Sequence, residues 1–439
     1  MEMIKENITS SFVNLKYSGE DWVGDIPKHW EMKRLKHLFF EKKMTHDIYL
    51  PCGSISFGKV VYKDDEKIPE STKRSYQILN RGEFLINPLN LNYDLISLRI
   101  GLSEIDVVVS SGYIIMLPKV NLNKAFYKWL LYRFDVAFMK TLGSGVRQTI
   151  SFNHIANCLL PSPPLKEQTA IATFLDKKTA LIDQAIEIKQ KQIELLKERK
   201  QIIIQKAVTR GLNPNVKMKD SGVEWIGEIP EHWEVKPLKY LGNVFPGLTG
   251  KSGEDFSKEF LTGMKPFIPF TTIFRYDVIS DEEFQYVKIK TTEKQNEVKR
   301  NDLLFLMSSE TLEDIGKCSI YLGEEKKLYL NSFCKGFRFA INNILPTFVN
   351  ALLLSNNYRG YFSIVGRGFT RINIKQEYVN QLPILIPPLK EQYQIIEFVN
   401  KVDNKIKLSI SIKEQEIKKL KEYKSTLINS AVTGKIKVC

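Results

Sequence analysis

Apolar residues recur on an alternating three-and-four spacing at Leu175, Ile182, Ile186, Ile193, Leu196, Ile203 and Ala207, with Thr179, Lys189 and Lys200 filling the gaps. That spacing predicts a helix carrying a coiled-coil seam, because a repeat near 3.5 residues keeps one stripe turned toward a partner helix. The same stripe returns at Val399, Ile406, Ile410, Ile417, Leu420, Leu427 and Ala431, interrupted at Asp403, Lys413 and Lys424. Two matching seams in one chain predict that the helices pair with each other. Each begins at Pro-Pro-Leu-Lys-Glu-Gln, from Pro163 and from Pro387, and an offset of 224 superposes the copies without a gap as far as Ala207-Val208-Thr209 and Ala431-Val432-Thr433. The prolines are start signals, and Gly211 and Gly434 follow the ends. From Leu165 to Arg210 is 46 residues. At about 1.5 Å rise per residue such a helix runs on the order of 70 Å, the length of a spacer.

A second repeat opens each half. Ser18-Gly-Glu-Asp-Trp-Val-Gly-Asp-Ile-Pro-Lys-His-Trp30-Glu recurs as Ser221-Gly-Val-Glu-Trp-Ile-Gly-Glu-Ile-Pro-Glu-His-Trp233-Glu at an offset of 203. The aromatic and Ile-Pro residues predict a packed turn leading into a short helix, with His29 and His232 structural in it. Between opening motif and long helix lies a body that differs between the halves. The first has strand-like runs at 54–62, 76–86, 105–109 and 113–117, then an aromatic-rich helix over 123–142. The second has runs at 266–270, 302–307, 318–322 and 336–341, then a helix over 345–365. The pattern predicts an α+β chain: a mixed body over 1–162, a long helix over 163–212, a second body over 213–386 and a closing helix over 387–439.

Both bodies finish on a glycine-flanked loop. Gly143-Ser-Gly145-Val-Arg147-Gln148-Thr149-Ile150 stands opposite Gly366-Arg367-Gly368-Phe-Thr-Arg371-Ile-Asn373-Ile374. Glycines let a backbone approach a ligand closely, and Arg beside Gln or Asn supplies donors suited to base edges or phosphate. Arg147, Gln148, Thr149, Arg367, Arg371 and Asn373 are therefore the candidate nucleic-acid contacts. The competing reading of this loop is a tight turn with a solvated arginine.

Charge fits that candidate without locating it. The chain holds 64 basic and 50 acidic residues, a formal net charge of +14, which favours a polyanionic partner. The two long helices carry +4 and +3 of it, so the excess is spread along the chain. Hydrophobic content of 43% is globular, and no apolar run reaches the length of a membrane helix. Residues 1–18 contain no apolar stretch, so no signal peptide is expected. Cys52, Cys158, Cys318, Cys334 and Cys439 form no Cys-x-x-Cys pair, which predicts a reduced cytoplasmic protein without structural zinc.

Catalytic motifs fail on inspection. Gly247-Leu-Thr-Gly250-Lys251-Ser252 looks like a phosphate loop, but Phe245 stands where its first glycine is required. Ile86-Asn87-Pro88-Leu89-Asn90 lacks the second proline and the aromatic of the amino-methyltransferase signature. No nuclease constellation and no Gly-x-Ser-x-Gly accompanies them.

Two copies of Trp-x-Gly-x-Ile-Pro-x-His-Trp-Glu, two of Pro-Pro-Leu-Lys-Glu-Gln with a long helix, and dissimilar bodies between them closely resemble the specificity (S) subunit of Type I restriction-modification systems. The resemblance covers residues 18–433. It implies two target recognition domains, each binding one half of an asymmetric, bipartite double-stranded DNA site, with the long helices forming an antiparallel coiled coil in a pseudo-twofold repeat. It implies docking of modification (M) subunits, two per specificity subunit, and of restriction (R) subunits. S-adenosylmethionine, ATP and Mg²⁺ belong to those partners on this reading, and the chain itself holds no cofactor and catalyses nothing. A coiled-coil docking scaffold whose bodies bind protein is the alternative.

Overall fold

A computed structural model describes residues 14–89, 98–139, 150–281, 283–368 and 371–438. The chain divides into two compact units, one of residues 1–190 and 414–439, the other of residues 191–413. Each unit holds one body, part of the central helix Leu165–Arg210 and part of the C-terminal helix Leu389–Val432.

In the first unit, Phe39–Glu41, Ile114–Pro118, Phe84–Ile86 and Ile100–Leu102 form an antiparallel four-stranded sheet in that order. The run predicted over 54–62 is a hairpin, Gly53–Ser56 against Lys59–Tyr62. The aromatic-rich helix spans Lys124–Ala137, capped by the Asn123 side chain, which accepts from Phe126 N. Its Phe126, Tyr127, Leu130, Leu131 and Phe134 are fully buried, so this aromatic face is core. Tyr127 meets Phe39 of the sheet edge-to-face at 5.3 Å.

The second unit is built on a five-stranded sheet ordered Gly242–Pro246, Cys334–Phe339, Leu303–Leu306, Cys318–Tyr321 and Val278–Ile279, with only the last pair parallel. The helix predicted over 345–365 is two, Pro346–Leu353 and Asn356–Val365. Ser355 lies between them in extended conformation, and its hydroxyl donates to Leu352 O, which ends the first helix. The break re-aims the second helix so that Tyr358 and Phe362 are buried. The predicted turn-to-helix after each opening motif also contains a strand: Glu31–Arg34 pairs with Leu159–Ser162, and Glu234–Pro237 with Pro383–Ile386. Four alternating residues without a turn former favour extension once a partner strand is beside them.

The Glu and Gln that end Pro-Pro-Leu-Lys-Glu-Gln tie each unit together. Glu167 accepts from Trp30 Nε1 at 2.9 Å and meets His29 Nε2 at 2.8 Å. Gln168, 4% exposed, accepts from Asn123 N at 2.9 Å and donates to Pro163 O at 2.8 Å, joining the long helix to the start of the body helix. The second unit repeats the set. Glu391 takes Trp233 Nε1 at 3.1 Å and His232 at 2.8 Å, and Gln392 takes Leu345 N and donates to Pro387 O. Both tryptophans are fully buried. Burying a ring that size removes about 150–250 Å² from water, a gross gain of roughly 4–6 kcal/mol, so burial supplies the stability and the carboxylate fixes where the ring sits.

The seam residues face a partner helix within each unit. Leu175, Ile182 and Ile186 are buried in the first together with Ile417, Leu427 and Ala431, and Ile193 and Ala207 in the second together with Val399 and Ile406. The polar interruptions of the seam carry ion pairs across the helices. Lys424 meets Asp183 at 2.6 Å and Lys189 meets Glu416 at 2.7 Å in the first unit; Lys200 pairs with Asp403 in the second. In the first unit rising numbers on one helix, Asp183 and Lys189, meet falling numbers on the other, Lys424 and Glu416, so the pairing there is antiparallel. These side chains are partly exposed and each pair is worth only about 0.2–1 kcal/mol, so their main effect is to fix register.

Substituting Glu167 or Glu391 by Ala strands a buried indole N–H. Each is expected to lower the chain's unfolding free energy by about 1–3 kcal/mol, seen as a lower denaturant midpoint with unchanged slope. An unchanged midpoint contradicts the role given to these carboxylates.

Candidate nucleic-acid interface

The glycine–arginine loops are anchored alike. Ile374 N donates to Met307 O at 3.0 Å in the second unit, and Ile150 N donates to Pro88 O at 3.1 Å in the first. Both isoleucines are buried, at 6% and 5% exposure. Each loop is thus pinned at its end to a residue one or two positions beyond a core strand, Met307 after Leu303–Leu306 and Pro88 after Phe84–Ile86.

In the second unit the loop leaves the helix Asn356–Val365 and returns as the short strand Ile372–Asn373, paired with Ser308–Ser309. Arg367 and Asn373 exchange backbone hydrogen bonds at 3.2 and 2.9 Å. Gly368 lies at φ +144°, and a Cβ there would collide with the carbonyl oxygen of Arg371, so the tight closure requires glycine.

The sequence-predicted residues separate by role. The Arg367 guanidinium folds back on the helix end, donating to Gly366 O at 2.9 Å and to Ile364 O. A cation there satisfies carbonyls the helix leaves open and opposes its dipole. Arg371 instead lies exposed, its guanidinium 4.4 Å from the ring centre of Phe333, itself 46% exposed. Asn373 is exposed and donates from Nδ2 to Arg371 O at 3.2 Å. Structure therefore brings Arg371 and Asn373 together on the surface and assigns Arg367 to the helix end. Arg147, Gln148 and Thr149 lie outside the described residues.

Arg338 shows what distinguishes Arg371. It also stacks on a ring, Phe245 at 5.0 Å, but a bidentate pair with Asp302 at 2.6 and 2.9 Å consumes its charge. Among the described residues Arg371 has no carboxylate partner. A stacked guanidinium keeps its donor edge free, the geometry used to read phosphate or a guanine edge. Phe333 was not signalled by the sequence, since it sits alone in a turn with no periodic neighbours.

Other candidate chemistry is structurally occupied. Lys251 of the phosphate-loop look-alike is paired with Glu293. Cys52, Cys158, Cys318 and Cys334 are free, and burial pushes their thiols up, to about 11 for Cys52 and Cys158, which suppresses thiolate chemistry. Among the described residues no three metal-ligating side chains converge, and no helix is long and apolar enough to cross a membrane.

Replacing Arg371 by Ala in a DNA-bound complex is expected to reduce the slope of log affinity against log salt by about one, the loss of one phosphate contact. Arg367→Ala is expected to leave that slope unchanged. Equal slopes for wild type and Arg371→Ala exclude the contact.

Comparison with known proteins gives a consistent picture. The sequence is 24% identical over 422 residues to the Type I restriction enzyme MjaVIII specificity subunit of Methanocaldococcus jannaschii, covering 94% of each chain. It is 23% identical over 251 residues to the Type I restriction enzyme EcoKI specificity subunit of Escherichia coli, covering 55% of this chain and 50% of that one. A solved structure from work on complex assembly and conformational transition of the type I R-M system matches with a TM-score of 0.66 at 14% identity, over 93% of this chain and 98% of that one. The HsdS subunit of Thermoanaerobacter tengcongensis matches with a TM-score of 0.51 at 16% identity, over the same shares. At these identities the two structures speak for the fold. The profile of the Type I restriction modification DNA specificity domain matches twice, over residues 27–198 and 230–421, so that most of the sequence is covered and the chain belongs to that family.

Proposed function

We propose that the chain is the DNA specificity subunit of a Type I restriction-modification complex, in which each body reads one half of a two-part double-stranded site. The observation that carries this reading is the contrast within the repeat. The Glu–Gln ties, the pinned loop ends and the seam are duplicated nearly residue for residue, while the bodies between them have different sheets and different surfaces. Reading two unrelated half-sites requires such a division between constant frame and variable surface. Arg371 and Asn373 are the direct or phosphate contacts of the second body, and the loop holding Arg147, Gln148 and Thr149 serves the first.

The helices carry a second feature that supports partner docking. Leu181 and Ile188 in the first unit, and Leu195 and Ile202 in the second, recur every seven residues, at 43%, 51%, 55% and 57% exposure. This stripe is separate from the buried seam. A heptad of exposed aliphatic side chains suits a helix of another chain. We assign it to the modification subunits, two per specificity subunit, with restriction subunits completing the complex. On this reading S-adenosylmethionine, ATP and Mg²⁺ act in those partners, the present chain is non-catalytic, and the complex works in the cytoplasm.

The test is exchange of the first body, residues 35–160, for that of another family member, followed by selection of bound duplexes from a randomised pool. One half of the recovered motif is expected to change, with the other half and the gap retained. Change in both halves contradicts modular reading, and recovery of no motif contradicts DNA recognition.

A further inference from the structure

The hairpin Gly53–Ser56/Lys59–Tyr62 of the first unit turns through Phe57 and Gly58, at φ +47° and +74°. Two consecutive positive φ values in a two-residue loop define a type I′ turn, which favours Asn-Gly. Phenylalanine is strained there, because its Cβ crowds the following carbonyl. Among the described residues it is the only aromatic at positive φ. Burial of the ring does not offset this strain, since the Phe57 side chain is 72% exposed. Strain without a structural return points to a role outside the fold.

The position of the tip says which role. A Cβ on Gly58 would lie 3.1 Å from Leu98 Cβ and 3.4 Å from Ile100 O, so the tip abuts the beginning of the strand Ile100–Leu102. Beside it Asn87 N donates to Arg99 O at 2.8 Å, and the next residue, Pro88, accepts Ile150 N at the end of the glycine–arginine loop. Tip and loop end therefore lie on one edge of the first body, about two strand spacings or on the order of 10 Å apart. Lys59, exposed, follows the turn. The Arg99 side chain at this edge is held by Asp135 through Nε at 3.1 Å, while its Nη1 and Nη2 are buried without a hydrogen-bond partner. The hairpin is also firmly rooted: Asp65 accepts from Cys52 N and from Lys73 Nζ, both at 2.7 Å.

We infer that Phe57 is an aromatic wedge by which the first body packs on duplex DNA at its half-site, near the anchored loop end at Ile150. The inference rests on the DNA-reading function proposed above. A rigid, exposed ring at a hairpin tip, followed by the exposed Lys59, has the form of side chains that press between base steps.

The test uses the full chain in complex with its modification subunit and a randomised pool of duplexes as probe. Phe57→Asn relieves the backbone strain, so the denaturation midpoint is expected to rise. Affinity is expected to fall about ten-fold, as for loss of one aromatic–base contact, with the salt slope unchanged because no phosphate contact is removed. The recovered motif is expected to lose information only in the half specified by the first body. Phe57→Trp is expected to retain binding. If wild type recovers a two-part motif and Phe57→Asn binds as well, the wedge is refuted while DNA reading stands. A fall in affinity accompanied by a lower midpoint assigns Phe57 a structural role and also refutes it. If wild type recovers no motif, DNA reading fails and the wedge fails with it.

Discussion

One carboxylate and one amide, side by side at the start of a long helix, hold each unit in register. Glu167 fixes the buried Trp30 and His29 of the opening motif, and Gln168 fixes the first turn of the body helix. Glu391 and Gln392 do the same for Trp233, His232 and Leu345. The glutamines and the two indole rings are buried, so the geometry is enforced by the cost of leaving a buried N–H unpaired. Everything that varies between the bodies is attached to this invariant corner. The opening strand, the loop end and the body helix can therefore keep their places while the sheet between them changes its strand order.

The long helices add a different constraint. Their seam is mostly apolar, which drives association but tolerates slippage, and the polar residues set into it supply what apolar contacts lack. Lys189, Lys200 and Lys424 each find a carboxylate on the facing helix. A shift by one turn would break those pairs, each worth about 0.2–1 kcal/mol, while leaving the repetitive apolar contacts largely in place. The residues that look like flaws in the hydrophobic pattern are therefore what selects a single register.

Repetition made the frame legible from the sequence. A helix of 46 residues with duplicated caps and seam leaves little choice of structure, and a periodic signal that long outweighs local propensity. Antiparallel pairing and the identity of the Glu–Gln contacts were not derivable from spacing, because they depend on which surfaces meet. Short elements were less legible. Ser355 splits one expected helix through a side-chain hydrogen bond that propensity does not see, and Glu31–Arg34 becomes a strand only because Leu159–Ser162 lies beside it. At the candidate interface, Arg371 was readable from its glycine context, whereas its platform Phe333 and the strained Phe57 carry no pattern at all. Arg367, matched to the same loop, turned out to close a helix end. Loops acquire their chemistry from backbone conformation, which composition does not encode.

The central claim is that this chain selects the DNA site at which a partner acts. Genome-wide mapping of adenine methylation tests it most directly, comparing cells that carry the chain with its modification partner against cells lacking only the chain. Loss of methylation at a single two-part motif with a fixed gap is the predicted result. An unchanged adenine methylation pattern, in cells where the partner is active and the complex forms, would contradict the account.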